Sequence, residues 1–567
     1  MIHVQDITKW SHTIYSNMYS REKTILGFLS ILLIISLSLS ITGYVGRNST
    51  LVAQDGGTYT EAIVGQPRYI NPTLASSNDA DMDLTKVVYS SLLRLGSDLS
   101  LQNDLATSVD ISSDGKIYTV KMRNDAKWHD GKNVTPDDVV FTIESIQNKD
   151  TNSPIAPAFQ GVKVEKVDDT TVRFTLQKTA YAPFLSSLTI GILPKHVWEN
   201  IPAKTASFAE QQLKPVGSGP FKFEEIVTKK KTGEITSITF VKNDEYYGQK
   251  PHLGTIEFTF VNSHEEAIAA LTSNKVDGIG HLPSSLLSSV EHRSALNTKK
   301  LLLPQYFGLF LNQTKNPILG DAGVRSALDL AIDREDIVKK ALDGQGEALG
   351  IPIPSGMFDF PDVRDAVFDS EKAKQNLDDA GWKVGQENGI REKDGKKLEV
   401  TITTTDWQEY VKTAELIKEK WEAIGVKTNI QSLGTAIIQQ AAVTPRQYEI
   451  LLYGESLPAN PDPYPFWHSS QIKTPGLNLS LVQDKDIDKL LENARITTNQ
   501  EKRKELLSSF IERFLDIHPA IVLYRPYYLF AQRKELRGAS IEQGGLPSDR
   551  FNDIENWHVR VKRVWNT

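Results

Sequence analysis

Leu398-Glu-Val-Thr-Ile-Thr-Thr-Thr-Asp-Trp407 runs directly into Gln408-Glu-Tyr-Val-Lys-Thr-Ala-Glu-Leu-Ile-Lys-Glu-Lys-Trp-Glu-Ala-Ile-Gly425 and then into Val426-Lys-Thr-Asn-Ile430. Leu398, Val400 and Ile402 alternate with Glu399, Thr401 and Thr403, the period of two expected of a strand with one buried face. The period then changes. Tyr410, Ala414, Ile417, Trp421 and Ile424 recur at spacings of four and three, which predicts a helix with one apolar face, capped by Asp406 with Glu409 three residues on. Gly425 ends it, and Val426, Thr428 and Ile430 resume a strand. The stretch 398–430 therefore predicts a βαβ crossover, parallel and right-handed by the usual rule.

A second unit starts at Ile256-Glu-Phe-Thr-Phe260, continues through the capping box Ser263-His-Glu-Glu266 and a helix to Leu271, and returns to Val276-Asp-Gly-Ile279. Two such units predict two α/β lobes. A helix is expected over Asp321 to Leu342 with Val324, Ala327, Leu328, Ala331 and Val338 inward. Another is expected from Ser370 to Gly381, with Trp382 folding back on Leu377 in a Schellman cap. Ile117–Met122 and Thr171–Leu176 alternate with period two and predict a sheet-rich insert. Open parallel sheets bind ligands at the carboxyl ends of their strands, so Thr404-Thr-Asp-Trp407 is expected to face a crevice. Trp407 then either meets a ligand or lies on its own helix.

Composition sets outer bounds. The 567 residues carry 64 Lys+Arg against 71 Asp+Glu, a net charge of −7, with 40% hydrophobic residues, as ordinary globular chains do. No Lys/Arg tract makes a basic binding stripe, and Lys229-Lys-Lys231 sits in a Thr/Gly/Glu loop and reads as a solvated turn, so nucleic acid is not an expected partner. No cysteine is present, which excludes disulfides, thiolate metal sites and lipid attached through cysteine. Thr24 to Gly46 is uncharged between Lys23 and Arg47. Its core, Ile25 to Val45, would reach about 31 Å as a helix, a bilayer's hydrocarbon thickness. The leader is too long for an ordinary signal peptide, and Leu51 stands where cleavage after Ala53 wants a small residue, so an uncleaved anchor is expected. Lys9, Arg21 and Lys23 precede the span and only Arg47 closely follows, which orients residues 1–24 inward as a cytoplasmic leader, 25–46 across the cytoplasmic membrane and the bulk outside. In the leader, Trp10, Ile14, Tyr15 and Met18 allow a short amphipathic face.

Catalytic constellations are not found. His264-Glu265 meets Ile268 where a zinc-protease helix needs histidine, and Val216 stands where Gly217-Ser-Gly219 would need glycine for a nucleophile elbow. Asp79-Ala-Asp-Met-Asp83 starts like a calcium loop, yet Leu84 replaces its turn glycine and Ser90 its closing glutamate. No phosphate-cradling glycine motif follows a strand. What remains is the proline-stiffened, aromatic loop Gly454-Glu-Ser-Leu-Pro-Ala-Asn-Pro-Asp-Pro-Tyr-Pro-Phe-Trp-His468. It offers Tyr464, Phe466 and Trp467 beside Asn460 and Asp462, either to a ligand or as a buried staple.

Several stretches in fixed order resemble the family 5 bacterial extracellular solute-binding proteins, the dipeptide, oligopeptide and nickel receptors of ABC importers. They are Gly57–Ala62, Ser113-Asp-Gly-Lys-Ile-Tyr-Thr-Val-Lys-Met-Arg-Asn-Asp-Ala-Lys-Trp-His-Asp-Gly131, Val134–Phe141, Pro215-Val-Gly-Ser-Gly-Pro-Phe-Lys-Phe223, Asn243–Pro251 and Val324–Arg334. The resemblance covers residues from about 55 to 567. It implies an α/β fold: a bilobal, periplasmic-binding-protein-like clamshell of type II, cluster C, with an extra sheet-rich domain, here preceded by one transmembrane helix. The corresponding division is lobe I at 55–84, 214–306 and 525–567, inserted domain II at 85–213, and lobe III at 307–524, with Leu303–Asn312 resembling a hinge strand. With the crevice argument, it places ligand-binding residues at Asn78, Asp79, Tyr306, Trp407, Tyr453, Glu455, Asn460, Asp462, Phe466 and Trp467, with no catalytic residue, metal ligand or cofactor. Peptide receptors of the family carry an aspartate before the Asp-Pro to pair with the α-ammonium. The corresponding positions here are near Ala459, so Glu455 or Asp462 is expected to substitute. The implied function is a monomeric, tethered receptor that captures a small solute, an oligopeptide first, for the permease subunits of an ABC importer. A tethered hydrolase, or a sensor or scaffold on the same clamshell, are the rival readings.

Overall fold

The crossover at 398–430 is present: strand Glu399–Thr405, helix Gln408–Glu422 and strand Lys427–Leu433. The strands pair in parallel from Glu399↔Lys427 to Thr405↔Leu433. Ala414, Ile417, Trp421 and Ile424 are buried on one side of the helix. Gly425 closes it at φ +88°, where its amide and that of Val426 reach the Glu422 and Trp421 carbonyls in a Schellman pattern. The start differs from expectation. Asp406 donates its amide to the Leu433 carbonyl at 3.0 Å and so stays in the sheet, leaving Trp407 as the residue before the helix with no side-chain cap. Freed from capping, Glu409 accepts from Ser284 Oγ at 2.8 Å, a bond to the other lobe.

This crossover is one edge of a six-stranded sheet ordered Gly346–Ala348, Ala520–Pro526, Gln305–Leu311, Ile450–Ser456, Glu399–Thr405, Lys427–Leu433. Its helices include Ala322–Leu330 and Arg334–Ala341, one turn-broken pair where the sequence suggested a single helix, and Ser370–Asp379, whose cap is the expected Schellman motif, with Trp382 N bonded to Leu377 O at 2.9 Å. A seven-stranded sheet forms the other lobe, ordered Leu296–Leu301, Tyr528–Arg533, Gly278–Ile279, Thr58–Val64, Thr255–Val261, Ile235–Lys242, Phe221–Thr228. Thr255–Val261 and Gly278–Ile279, joined by helix His264–Thr272, both run parallel to Thr58–Val64, the second expected crossover. The chain passes between the lobes at Leu302–Pro304 and at Tyr527, so residues 305–306 and 525–526 belong to strands of the six-stranded sheet. Ala106–Ile111, Ile117–Met122, Thr171–Leu176 and Val162–Lys166 make a separate four-stranded antiparallel sheet with its own core around Trp128, Phe174 and Phe184. These are the coordinates of a computed structural model, which describes residues 15–566 apart from 178–179, 355, 357, 362, 365 and 386–388. Lys9, Trp10 and Ile14 of the leader lie outside the described residues.

Helix Ser20–Asn48 contains the apolar run, with mean hydropathy 2.4 in its most apolar window and no residue buried. It is long and apolar enough to cross a bilayer.

Two quoted motifs meet through one histidine. His129 accepts from the Gly217 amide on Nδ1 and its Nε2 faces the Gly219 carbonyl, both at 3.1 Å, so only the neutral ring satisfies both. Gly217 has no alternative, since a Cβ there would lie 2.0 Å from the Val88 carbonyl oxygen. Burial pushes the His129 pKa down to about 4. A base depressed in the folded state stabilises fully above its unfolded pKa near 6.5 and loses that contribution as pH falls toward 4. The shift corresponds to about 3 kcal/mol. Urea unfolding at pH 7 and pH 4.5 is therefore expected to show a smaller acid-induced loss in His129→Gln than in the unmodified chain; equal losses would show that His129 takes up its proton without unfolding pressure.

Candidate ligand site

The helix Asp79–Val88 and the turns Pro547–Phe551 and Ile554–Asn556 of the seven-stranded lobe form one wall of a cavity of about 470 Å³. Ile155, Phe159, Ser187 and Thr189 of the inserted unit form a second, and Ser456-Leu-Pro-Ala459 of the six-stranded lobe forms the third. Three separately folded regions thus enclose one space. Its surface is mostly apolar, with a few charged groups placed within it.

Those charges are unevenly satisfied. Lys86 pairs with Asp549 at 2.7 Å. Asp104 accepts from the Tyr247 hydroxyl and from the Ser91 amide at 3.0 Å, and burial pushes its pKa up. Among the described residues Glu555, only 9% exposed, has two long side-chain partners, Tyr246 Oη at 3.5 Å and Arg94 Nη1 at 3.7 Å. Burial raises its pKa as well. A ligand cation entering here would meet two partly desolvated carboxylates, and Arg94, held to Glu555 only by that 3.7 Å ion pair and with a side chain 42% exposed, also lines the cavity.

None of the ten residues expected from the sequence lines this cavity. Asn78 caps the helix Asp79–Val88, accepting from the Ala80 amide at 3.1 Å, and Asp79 lies exposed in its first turn, while Met82, Thr85 and Lys86 of that helix reach the cavity. Trp407 is 57% exposed and packs edge-on against Tyr410, so it lies on its own helix. Tyr453 packs half-buried against the core of the six-stranded lobe. Tyr306 is fully buried and donates to Glu455 Oε2, whose other oxygen has no partner among the described residues. Burial drives the Glu455 pKa well up, and the side chain sits in the core outside the cavity lining. Trp467 stacks on Phe310 and stands edge-on to Phe514 at 4.8 Å, with Phe466 buried beside it. The loop's aromatic end is the staple.

Asp462 is also reassigned. Arg495 grips it with Nε at 3.0 Å and Nη2 at 2.9 Å, and Tyr181 Oη donates at 3.1 Å. Tyr181 belongs to the inserted unit, so the carboxylate joins that unit to the six-stranded lobe and has no open oxygen for a ligand. Asn460 Oδ1 accepts from the buried Arg503, whose Nη2 also holds the Pro461 carbonyl. The loop is bolted down at both residues, and only Ser456 to Ala459 is left to face the cavity. At the carboxyl edge of the sheet, Ile450–Ser456 leads into the cavity lining, and its neighbour Glu399–Thr405 does not. No sequence signal singled out Arg94, Asp104, Ser187 or Glu555, which come from distant parts of the chain.

Two crossed-over α/β lobes, a sheet insert and a mostly apolar cavity lined by all three are the architecture of a solute-binding protein. The chain belongs to the bacterial extracellular solute-binding proteins, family 5, whose middle region matches residues 100–477. It is 31% identical over 551 residues, 95% of this chain and 99% of the relative, to the oligopeptide-binding protein AppA of Bacillus subtilis (strain 168). The structure of that AppA in complex with a nonapeptide superposes with a TM-score of 0.69 at 30% identity, covering 90% of this chain and all of the other. NikZ from Campylobacter jejuni in complex with Ni(L-His) superposes with a TM-score of 0.72 at 30% identity over 88% of this chain and 99% of the other. Among the described residues no cluster of His, Asp and Glu is arranged to hold a bare metal ion.

Proposed function

We propose that this protein is a membrane-anchored extracytoplasmic receptor that binds a short peptide in the cavity between its lobes, without altering it, and passes it to the permease of an ABC importer. The observation that carries the reading is the cavity itself, lined by all three regions of the chain, with the Glu555 and Asp104 carboxylates and the partly exposed Arg94 guanidinium among its lining groups. A zwitterionic backbone matches that charge pattern: the ammonium goes to Glu555 and Asp104 and the carboxylate to Arg94. Pro458 and Ala459, which bear no charge, leave the carboxylates of the opposite wall to do what the family's loop aspartate does. The 31% identity to an oligopeptide-binding protein over nearly the whole chain points the same way. Contacts to both lobes favour the closed state only by their differential affinity, about 1.4 kcal/mol for each tenfold shift. We take residues 55–84, 214–301 and 528–567 as lobe I, with 85–213 inserted and 305–526 as lobe III, the two hinge points lying at 302–304 and 527. The anchor at 25–46 would keep this head at the outer membrane surface.

Calorimetry with di- to nonapeptides, sugars and metal chelates tests the reading. Saturable binding of peptides with free termini, with the peptide recovered intact, is expected. Glu555→Gln is expected to weaken a free-amine peptide at least tenfold and its N-acetylated form far less. Binding of sugars alone overturns the ligand class; release of cleaved peptide over repeated cycles overturns the receptor reading.

A further inference from the structure

Directly after the apolar helix the chain enters strand Ser49–Gln54, and its partner is the far end of the polypeptide, Arg560–Trp565. Six antiparallel pairs run from Ser49↔Trp565 to Gln54↔Arg560, forming a two-stranded sheet separate from both lobes. The end of the ribbon is tied to the helix itself. Asn566 N donates to Asn48 O at 2.7 Å, Asn566 Nδ2 to Arg47 O at 3.3 Å, and the Trp565 ring lies 6.4 Å from that of Tyr44, one turn inside the helix.

The charge on this ribbon is one-sided. Residues 44–54 and 559–566 contain Arg47, Arg560, Lys562 and Arg563 and no Asp or Glu. Among the described residues none of these four cations forms an ion pair; Arg563 donates only to Ser49 Oγ at 3.1 Å. Arg560, Lys562, Arg563 and Val564 are exposed, and so is Trp565 at 57%. Three like charges on a narrow ribbon, with Arg47 in the helix turn just before it, repel one another, and an isolated two-stranded ribbon is marginal in water. An anionic surface would remove the repulsion. The ribbon stands where one is available, since the apolar run ends at Val45 and the strand begins at Ser49, with Tyr44 and Trp565 at the level where aromatic side chains sit at a membrane boundary.

We propose that the ribbon formed by residues 49–54 and 560–565 is a membrane-contacting foot that binds the headgroups of anionic phospholipids and, about 20 Å long, holds the receptor head at a fixed, short height. This rests on the reading of residues 25–46 as a membrane anchor. The C-terminal strand is then part of the tether, which a flexible linker alone would not require.

The absence of cysteine supplies the experiment. Val564→Cys in the otherwise intact chain carries a nitroxide label, and the protein is reconstituted into vesicles of pure phosphatidylcholine or of phosphatidylcholine with phosphatidylglycerol. Accessibility of the label to a water-soluble paramagnetic relaxant is expected to fall at least threefold in the anionic vesicles and to recover in 0.5 M salt. Lys562→Glu with Arg563→Glu, and separately the neutral pair Lys562→Gln with Arg563→Gln, are expected to abolish the lipid difference. Equal accessibility in the two lipids, in protein that resists alkaline carbonate extraction, overturns the foot and leaves the anchor standing. Extraction by carbonate overturns the anchor, and with it the foot.

Discussion

Arg550→Met is expected to lower the unfolding free energy by roughly 3–5 kcal/mol, the cost of removing one partner from a buried ion cluster. Arg550 is fully buried. Its Nη2 lies 2.6 Å from both Glu61 Oε1 and Asp83 Oδ2, and its Nη1 lies 2.7 Å from Asp83 Oδ1 and 3.0 Å from Pro547 O. Tyr59 Oη donates to the other Glu61 oxygen at 2.6 Å. Methionine keeps much of the volume and none of the charge, so two carboxylates on the central strand Thr58–Val64 and the helix Asp79–Val88 lose their cation. Unpaired and buried, both take raised pKa values in the folded state. The deficit is therefore largest near neutral pH and shrinks as pH falls toward 5, where protonation relieves the charge. Denaturant unfolding at pH 7 and pH 5 measures both effects. Glu61→Gln with Asp83→Asn in the Arg550→Met background is expected to restore most of the loss, and an unchanged midpoint in the single variant would show that the cluster is not held together by charge. The cavity-lining residues Ser548, Asp549, Phe551 and Asn552 flank Arg550, so loss of the cluster would also loosen one wall of the cavity.

Ser187→Trp is expected to reduce peptide affinity at least 100-fold while leaving thermal stability within a few degrees. Ser187 ends the short helix Phe184–Ser187 and lines the cavity from the inserted unit, while its neighbour Phe184 anchors the helix in that unit's core. The serine is half-buried, so an indole there projects into the space that the ligand would take without disturbing the packing behind it. Calorimetry with the best peptide of the unmodified protein reads the first effect and a melting curve reads the second. Affinity within threefold of the unmodified chain would place the ligand elsewhere. Loss of affinity with a matching loss of stability would mean that the inserted unit had rearranged, and Thr189→Trp, on the same wall, would then repeat the test.

These two tests divide between what was legible beforehand and what was not. Both crossovers, the Schellman cap at Gly381, the helix end at Gly425 and the period-two strands of the insert follow from local rules, because apolar periodicity and turn chemistry act between near neighbours in the chain. The helix cap at Asp406 failed for a tertiary reason: the sheet claimed the backbone amide of that residue before the helix could start. The loop 454–468 does reach the cavity, through Ser456 to Ala459, while its conspicuous residues lie outside the lining. Asp462, Asn460 and Trp467 are conspicuous because they bolt the loop to Arg495, Arg503 and Phe514. Charge and aromaticity in a sequence announce strong contacts and do not say whether the partner is a ligand or the protein itself.

The order of strands and helices, the two-lobed α/β class, the apolar N-terminal helix and the family all lie in the linear sequence, since each depends on residue spacing or on motifs in a fixed order. The lining of the cavity, the Glu61–Asp83–Arg550 cluster and the pairing of residues 49–54 with 560–565 were decided only in three dimensions. Each joins segments tens to hundreds of residues apart, and no local periodicity encodes which buried carboxylate will meet a guanidinium and which will be left facing an open space.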